Sequence, residues 1–356
     1  MMIKFFLAFC FISFSLFARP IETFYGIVDV EEPVILELID SPAFQRLKEV
    51  HQYGVSFYTT HKEEFTRYSH SLGVFYLLKA NNRPLNEQIA GLLHDVSHTA
   101  FSHVGDWVFN KEFAEIDYQN SIHEVFLEET GLVTILKKYN INPKDILPEE
   151  KTAPALEKPR PNASADRLDY SIQGGYHQNF LTKEEAIEIF NDCKYIENRW
   201  ICTKPALMSK VIKFTLFMTE TCFSSPQNYL SSRWLADAII KALEIHLISK
   251  DEFHFGTDNV IWNKLISSTD PYIESKMQMV LNAKNLFKLV DPSEADMIVN
   301  AKFWGFDPWV EIDGKIVRLT TINKELKSEY QTVKDRTALG FAIKLAAQEN
   351  AISKSA

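Results

Sequence analysis

The chain of 356 residues is poor in cysteine and short of positive charge. Of four cysteines, Cys10 falls in an apolar N-terminal run, leaving Cys193, Cys202 and Cys222. Three thiols exclude a full disulfide framework, and none of their spacings is that of a zinc site. Cys193 and Cys202 flank Glu197-Asn198, a turn between two short strands. They therefore face each other across a hairpin, able to pair in an oxidising compartment and to stay as buried thiols elsewhere. Lys and Arg number 38 against 47 Asp and Glu, a net charge of −9. That balance excludes binding to nucleic acid driven by its phosphate backbone, so an anionic substrate needs a local basic pocket. Past the N-terminus no apolar run approaches the roughly 20 residues of a membrane span. Internal repeats and low-complexity tracts are absent. Hydrophobic residues make up 46% and aromatics 13%, which excludes a disordered chain and supplies ample core.

The N-terminus reads as a secretory signal peptide over residues 1–18. Lys4 supplies positive charge, residues 5–17 are almost wholly apolar, and Ala18 offers a small residue before Arg19-Pro20. Cleavage after Ala18 implies a periplasmic or secreted protein; an uncleaved leader would leave it cytoplasmic. The remainder reads as a mostly α-helical chain with small β-hairpins. Residues 33–40 form a short apolar segment, and Ser41-Pro42 starts a helix by capping and by proline in its first turn. Helices are expected over 65–78, 121–130, 183–190, 205–222, 234–248, 258–266 and 273–281. Another starts at Ser164 and ends at Gly174-Gly175. Residues 310–319 alternate around Asp313-Gly314 as a hairpin, and 324–347 return to helix. Two regions follow, 19–230 and a C-terminal region 231–356 packed on it.

The chemistry concentrates in His94-Asp95-Val96-Ser97-His98-Thr99-Ala100-Phe101-Ser102-His103. The apolar pattern before it marks a helix, on which adjacent His and Asp point about 100° apart and His98 lies one turn beyond His94. Imidazole with carboxylate suits a divalent transition metal or magnesium rather than calcium. Four such groups within ten residues outweigh a pair of buried, hydrogen-bonded histidines. Two further stretches carry similar groups, Arg67-Tyr68-Ser69-His70 and Ser164-Ala165-Asp166-Arg167-Leu168-Asp169-Tyr170.

Together these stretches resemble the HD-domain phosphohydrolase superfamily, most of all its dNTP triphosphohydrolase branch, which includes the sterile-alpha-motif HD-domain enzyme. The likeness runs in order through Phe44-Gln45-Arg46-Leu47, Gly54, 67–74, 94–103 and 166–170. It extends more weakly into 304–310 and Val317-Arg318-Leu319. The resemblance implies one divalent ion (Mn, Fe, Mg, Ni or Zn) held by His70, His94, Asp95 and Asp166. It implies phosphate contacts from Arg67 and Arg167, sugar contacts from Gln52 and Tyr170, and catalytic roles for His98 and Asp106. His103 is structural in this motif. It further implies a nucleotide or phosphoester substrate and a homo-oligomer. Three positions depart from the family pattern. Asp117 stands where a histidine precedes a serine (here Ser121) by four residues, which leaves His98 or His123 to act as general acid. Tyr53 replaces a smaller aliphatic residue, and Gly174 replaces an acidic residue used on the sugar. Metal and phosphate machinery therefore read as intact and sugar recognition as altered. A non-catalytic exported module binding a nucleotide or a partner protein is the alternative. A cyclic-dinucleotide or alarmone hydrolase matches the doublet alone.

Overall fold

The computed structural model describes residues 18–61, 63–109 and 117–346; the expected signal peptide, apart from Ala18, lies outside them. The described chain is mostly helical with three small sheets. It opens with an antiparallel hairpin, β1 (Arg19–Thr23) and β2 (Gly26–Val30). The apolar segment after it is a helix, α1 (Pro33–Asp40), begun by proline in its first turn and burying Val34, Ile35, Leu38 and Ile39. Ser41 then caps the next helical turn by accepting from Phe44 N, as its sequence predicts.

Three helices carry the histidine and aspartate motifs. α2 (Arg67–Ala80) starts at Thr66, whose side chain accepts from Ser69 N, and buries Leu72, Phe75 and Leu78. α3 (Leu85–Leu93) packs against α2 and ends at Leu93, so residues 94–103 do not continue it as the sequence suggests. α4 (Ala165–His177) runs on through Gly174-Gly175, where the sequence places its end. Neither glycine breaks the helix, and the space a side chain would need there is occupied. A Cβ on Gly174 would lie 2.4 Å from Phe214 Cζ.

Residues 94–103 leave the helical path because two side chains from elsewhere capture their backbone. Arg46 donates to the carbonyls of Val96 and His98 at 2.9 and 2.6 Å, and to Gly256 O at 2.8 Å. Asp258, fully buried, accepts from Phe101 N at 2.7 Å and from His51 N at 2.9 Å. Phe101 and Ser102 adopt left-handed φ of 60° and 56°, a conformation that needs such outside support. Gly54, itself at φ 50°, permits it: a Cβ there would lie 2.6 Å from Phe101 O.

Beyond α4 come the cysteine hairpin, β3 (Lys194–Ile196) and β4 (Arg199–Cys202), then α5 (Pro205–Met218). Glu197 and Asn198 turn the hairpin at φ 48° and 60°. Cys193 and Cys202 are buried free thiols with Sγ atoms 3.1 Å apart. α6 (Pro226–Glu244) starts eight residues ahead of its expected position because Ser225 caps it and Pro226 opens it. α7 (Pro271–Asn282) packs along it. Strands β5 (Phe287–Leu289) and β6 (Met297–Val299) follow, then the Asp313-Gly314 hairpin of β7 (Trp309–Ile312) and β8 (Lys315–Arg318). β7 joins β4 in parallel, which ties the C-terminal region to the cysteine hairpin. The last expected helix is shorter: α8 (Lys324–Leu339) ends at Gly340, φ 71°, and β9 (Phe341–Leu345) pairs between β5 and β6. Among the described residues no helix is long and apolar enough to cross a membrane.

The motif helices meet at a tight contact. A Cβ on Gly73 of α2 would lie 2.0 Å from Asp169 Oδ1 and 2.6 Å from Gln173 Nε2 on α4. Asp169 cannot swing aside, because Tyr25 Oη donates to the same oxygen at 2.8 Å. Gly73→Ala is therefore expected to destabilise the protein by about 1–3 kcal/mol through overpacking. A shifted midpoint in chemical denaturation at unchanged slope measures it.

Candidate metal centre and its cleft

His70 sits one turn into α2, His94 and Asp95 follow the last residue of α3, and Asp166 lies in the first turn of α4. The fold brings all four together. His70 Nε2 is 3.1 Å from His94 Nε2, 3.0 Å from Asp166 Oδ1 and 3.7 Å from Asp95 Oδ2. His94 Nε2 is 3.6 Å from Asp95 Oδ1 and 3.5 Å from Asp166 Oδ1. The other ring nitrogens are committed elsewhere. His94 Nδ1 lies 2.8 Å from Gly91 O, and His70 Nδ1 lies 2.6 Å from Asp169 Oδ2. Donation from each Nδ1 leaves a lone pair on each Nε2, and both Nε2 atoms lie within 3.0–3.7 Å of carboxylate oxygens of Asp95 and Asp166.

Such a site demands positive charge. Burial opposes the His70 imidazolium, but hydrogen bonds to Asp166 and Asp169 outweigh it and push the group up to about 10. Asp95 is held well below the usual carboxylate range: burial opposes ionisation, and the Arg67 guanidinium and neighbouring histidines overcome it. Asp166 is lowered in the same way against burial by hydrogen bonds to His70 and His94. Two imidazoles and two carboxylates converging on one point fit a divalent ion, with coordination positions left for water and a phosphate oxygen.

Asp169 is the residue that sequence reasoning missed. It is fully buried, and it accepts from Tyr25 Oη, from Gln173 Nε2 and from His70 Nδ1, fixing the ring and its tautomer. Its signal was present as a second carboxylate three residues after Asp166, one turn along the same helix.

The centre opens into a cleft of about 990 Å³. It is lined by His98, His103, Asp106 and Asp117, by the aromatic Tyr53, Tyr170, Phe223 and Trp304, and by Arg160 and Lys302. The Arg160 guanidinium and the Lys302 ammonium each lie over the Trp304 ring, at 4.9 and 4.8 Å. Gln52 also lines the cleft, and its Oε1 is buried with no protein partner.

Several expected roles change. Arg67 does not offer a free fork to a phosphate: Nη1 donates to Asp95 Oδ2 at 2.6 Å and Nε to Ser102 Oγ at 2.9 Å. Arg167 reaches the cleft wall but donates Nη1 to the carbonyls of Lys158 and Asn162, so it pins the 158–162 loop. His98 lies beside Asp95, Nε2 to Oδ1 3.3 Å, and burial with Arg67 pushes its imidazolium down to about 3. His123 is buried behind the site against Ser97 Oγ at 2.8 Å, and burial pushes it down to about 4. Asp106 accepts from Tyr118 N at 2.6 Å and faces His103 Nδ1 at 3.3 Å.

No family model matches the chain. An uncharacterised Bacillus subtilis protein, YdhJ, is 30% identical over 88% of this chain and 95% of its own length. The metal-dependent phosphohydrolase cns2 of Cordyceps militaris is 37% identical over 48% of each chain. The bovine deoxynucleoside triphosphate triphosphohydrolase SAMHD1 is 25% identical over 74% of this chain and 56% of its own. The chain belongs to the HD-domain superfamily of metal-dependent phosphohydrolases. It spans about half the length of its two named relatives, cns2 and SAMHD1. In fold, this superfamily member is similar to a hypothetical protein from Aquifex aeolicus, TM-score 0.66 at 18% identity over 95% of this chain and 100% of the other. A phosphohydrolase from Bacteroides thetaiotaomicron gives 0.60 at 15% over 91% and 98%.

The Asp169 contact yields a direct test. Asp169→Asn removes the charge behind His70 and is expected to weaken divalent-ion affinity about 10–100-fold. Competition against a chromophoric chelator measures the change.

Proposed function

We propose that the protein hydrolyses phosphate esters of nucleotides, with one divalent ion held by His70, His94, Asp95 and Asp166. The observation that carries this is the convergence of the four side chains, Nε2 to Nε2 3.1 Å, beside a cleft that aromatic side chains also line. The bound ion supplies polarisation of the phosphoryl group and a lowered pKa for the attacking water. Arg67 holds Asp95 in place and brings a positive charge to the phosphate end. His98 stays neutral and acts as a hydrogen-bonding group toward phosphate or water rather than as an imidazolium acid. Tyr170 and Trp304 offer aromatic surface to a base, and Arg160 and Lys302, which lie over the Trp304 ring, bring positive charge beside it.

The names of cns2 and SAMHD1 support the reaction class more than any one substrate. A second reading, a non-catalytic module that binds a nucleotide, is favoured by Asp117 where the family carries a histidine. We further infer from the signal peptide that the protein acts outside the cytosol, on nucleotides to be scavenged. N-terminal sequencing is expected to find Arg19 first; an intact Met1 would refute export.

Metal-loaded protein is expected to release phosphate, triphosphate or nucleoside from at least one member of a panel of ribo- and deoxynucleotides and simple phosphoesters. Asp166→Ala is expected to lower that turnover at least ~100-fold, because it removes a ligand and with it the ion. Silence across the whole panel would sink the enzymatic reading and leave the binding module.

A further inference from the structure

Away from the metal centre, the fold brings together two nucleophilic side chains that the proposed reaction does not use, Cys193 and Cys202. Cys193 ends the helix Lys183–Asp192, and Cys202 is the last residue of β4. The β3-β4 ladder pairs Lys194 with Ile201, Tyr195 with Trp200 and Ile196 with Arg199. One further step sets Cys193 directly opposite Cys202. Opposed residues of an antiparallel ladder have Cα atoms ~4.5–5.5 Å apart, inside the ~4.4–6.8 Å that a disulfide spans. The side chains meet as well: the Sγ atoms are 3.1 Å apart, and neither residue is more than 1% exposed. Cys222 does not compete, because it packs with Tyr53, Phe65, Phe214 and Met218 in a cluster separate from the core that holds the other two.

The hairpin backs one stretch of the cleft lining. Residues 157–160 line the cleft, and three side chains from the hairpin and its sheet hold the segment around them. Trp200 Nε1 donates to Ala155 O at 2.8 Å, and Lys158 Nζ donates to Asn198 Oδ1 at 3.0 Å. Arg318 of β8 donates to Asn162 Oδ1 at 2.6 Å. Arg160, whose guanidinium lies over Trp304, rides on that segment. Fixing the open end of the hairpin therefore steadies what stands behind the cleft lining.

We propose that Cys193 and Cys202 close a disulfide that clamps the β3-β4 hairpin and, through it, the cleft segment 155–162. Two S–H bonds break and one S–S bond forms. The two electrons go to an oxidant of the disulfide class, such as glutathione disulfide, whose own S–S bond breaks and whose sulfurs take up the two protons. One cysteine thiolate attacks the oxidant to give a mixed disulfide, and the second cysteine displaces it. In the folded chain the hydrogen-bonded Cys193 thiol and burial push the Cys202 thiol well above its usual range, so its thiolate is scarce. The bond therefore forms during folding, while the hairpin is open to solvent, and is shielded from reductant afterwards. This chemistry stands apart from the phosphohydrolase reading. Its occurrence in the cell rests on the export reading, because an oxidising compartment supplies the oxidant.

Refolding the full chain in a glutathione redox buffer tests the clamp without any substitution. Trypsin cuts after Lys194 and Arg199, which separates the two cysteines. An unreduced digest is expected to hold their peptides joined, two hydrogens lighter than the sum and parted by a phosphine reductant. Reduction is expected to lower the unfolding midpoint by about 3–8 °C. It is also expected to speed amide hydrogen exchange in 155–162, and the double variant Cys193→Ala/Cys202→Ala to lose both responses to reductant. Absence of the joined peptides after equilibration with excess glutathione disulfide, or Cys222 in the joined pair, would overturn the disulfide. Joined peptides with the same exchange in 155–162 before and after reduction would overturn the clamp. The buffer supplies the oxidant directly, so failure here leaves the export reading, which the N-terminus tests, untouched.

Discussion

Two imidazole nitrogens 3.1 Å apart, with carboxylate oxygens of Asp95 and Asp166 beside them, form an arrangement that needs a positive charge at its centre. His70 is fully buried and His94 and Asp95 nearly so, so solvent compensates little of their charge. Without a metal a proton takes that place, which is why the His70 imidazolium is pushed up so far. With a metal, the same lone pairs would serve as its ligands. The remainder of the structure can be understood as what keeps these four side chains from relaxing apart.

That support comes from every part of the chain. The N-terminal hairpin region contributes Tyr25, which holds Asp169, which in turn holds His70. Arg46 and Asp258, more than 200 residues apart in sequence, fix the backbone that follows the His-Asp doublet. Arg67 links Asp95 to Ser102, whose hydroxyl donates to His51 O at 2.9 Å. Gly73 allows α2 and α4 close enough for these contacts to form. Because the members share partners, loss of one is felt by several, and their contributions will not add.

Much of this was legible in residue types and spacings, and the failures have physical causes. That His70, His94, Asp95 and Asp166 come together was legible in the motifs, whose side-chain types and spacings suit one shared site. Local signals also held where they acted locally: the Ser41 cap, the Glu197-Asn198 turn and the Asp313-Gly314 turn. The helical path assigned to residues 94–103 failed because Arg46 and Asp258 take its backbone groups, and nothing near in sequence announces them. Gly174-Gly175 stayed inside α4, and side-chain packing, which a breaker rule ignores, fills the space beside them. Residue type showed that Arg67 and Arg167 were cationic, but not that their donors were spent on Asp95, Ser102 and the 158–162 loop. Hydrogen-bond partners distant in sequence were the common missing information.

Tyr53 and Gly174, two positions that depart from the pattern of the resembling family, meet in the structure. A Cβ at position 174 would meet Phe214 Cζ at 2.4 Å and Tyr53 Oη at 3.0 Å, so the volume missing from Gly174 is supplied by the rings opposite. An acidic side chain at 174 is therefore excluded by packing as well as absent from the sequence. Tyr53 is buried and lines the cleft, and Phe214 fills the space beside Gly174. Restoring only one of the two residues would overfill the pocket or leave a cavity, which couples the positions and keeps either from drifting back alone. Ring packing against Gly174, rather than a polar side chain at that position, therefore sets the shape of the structure behind Tyr53.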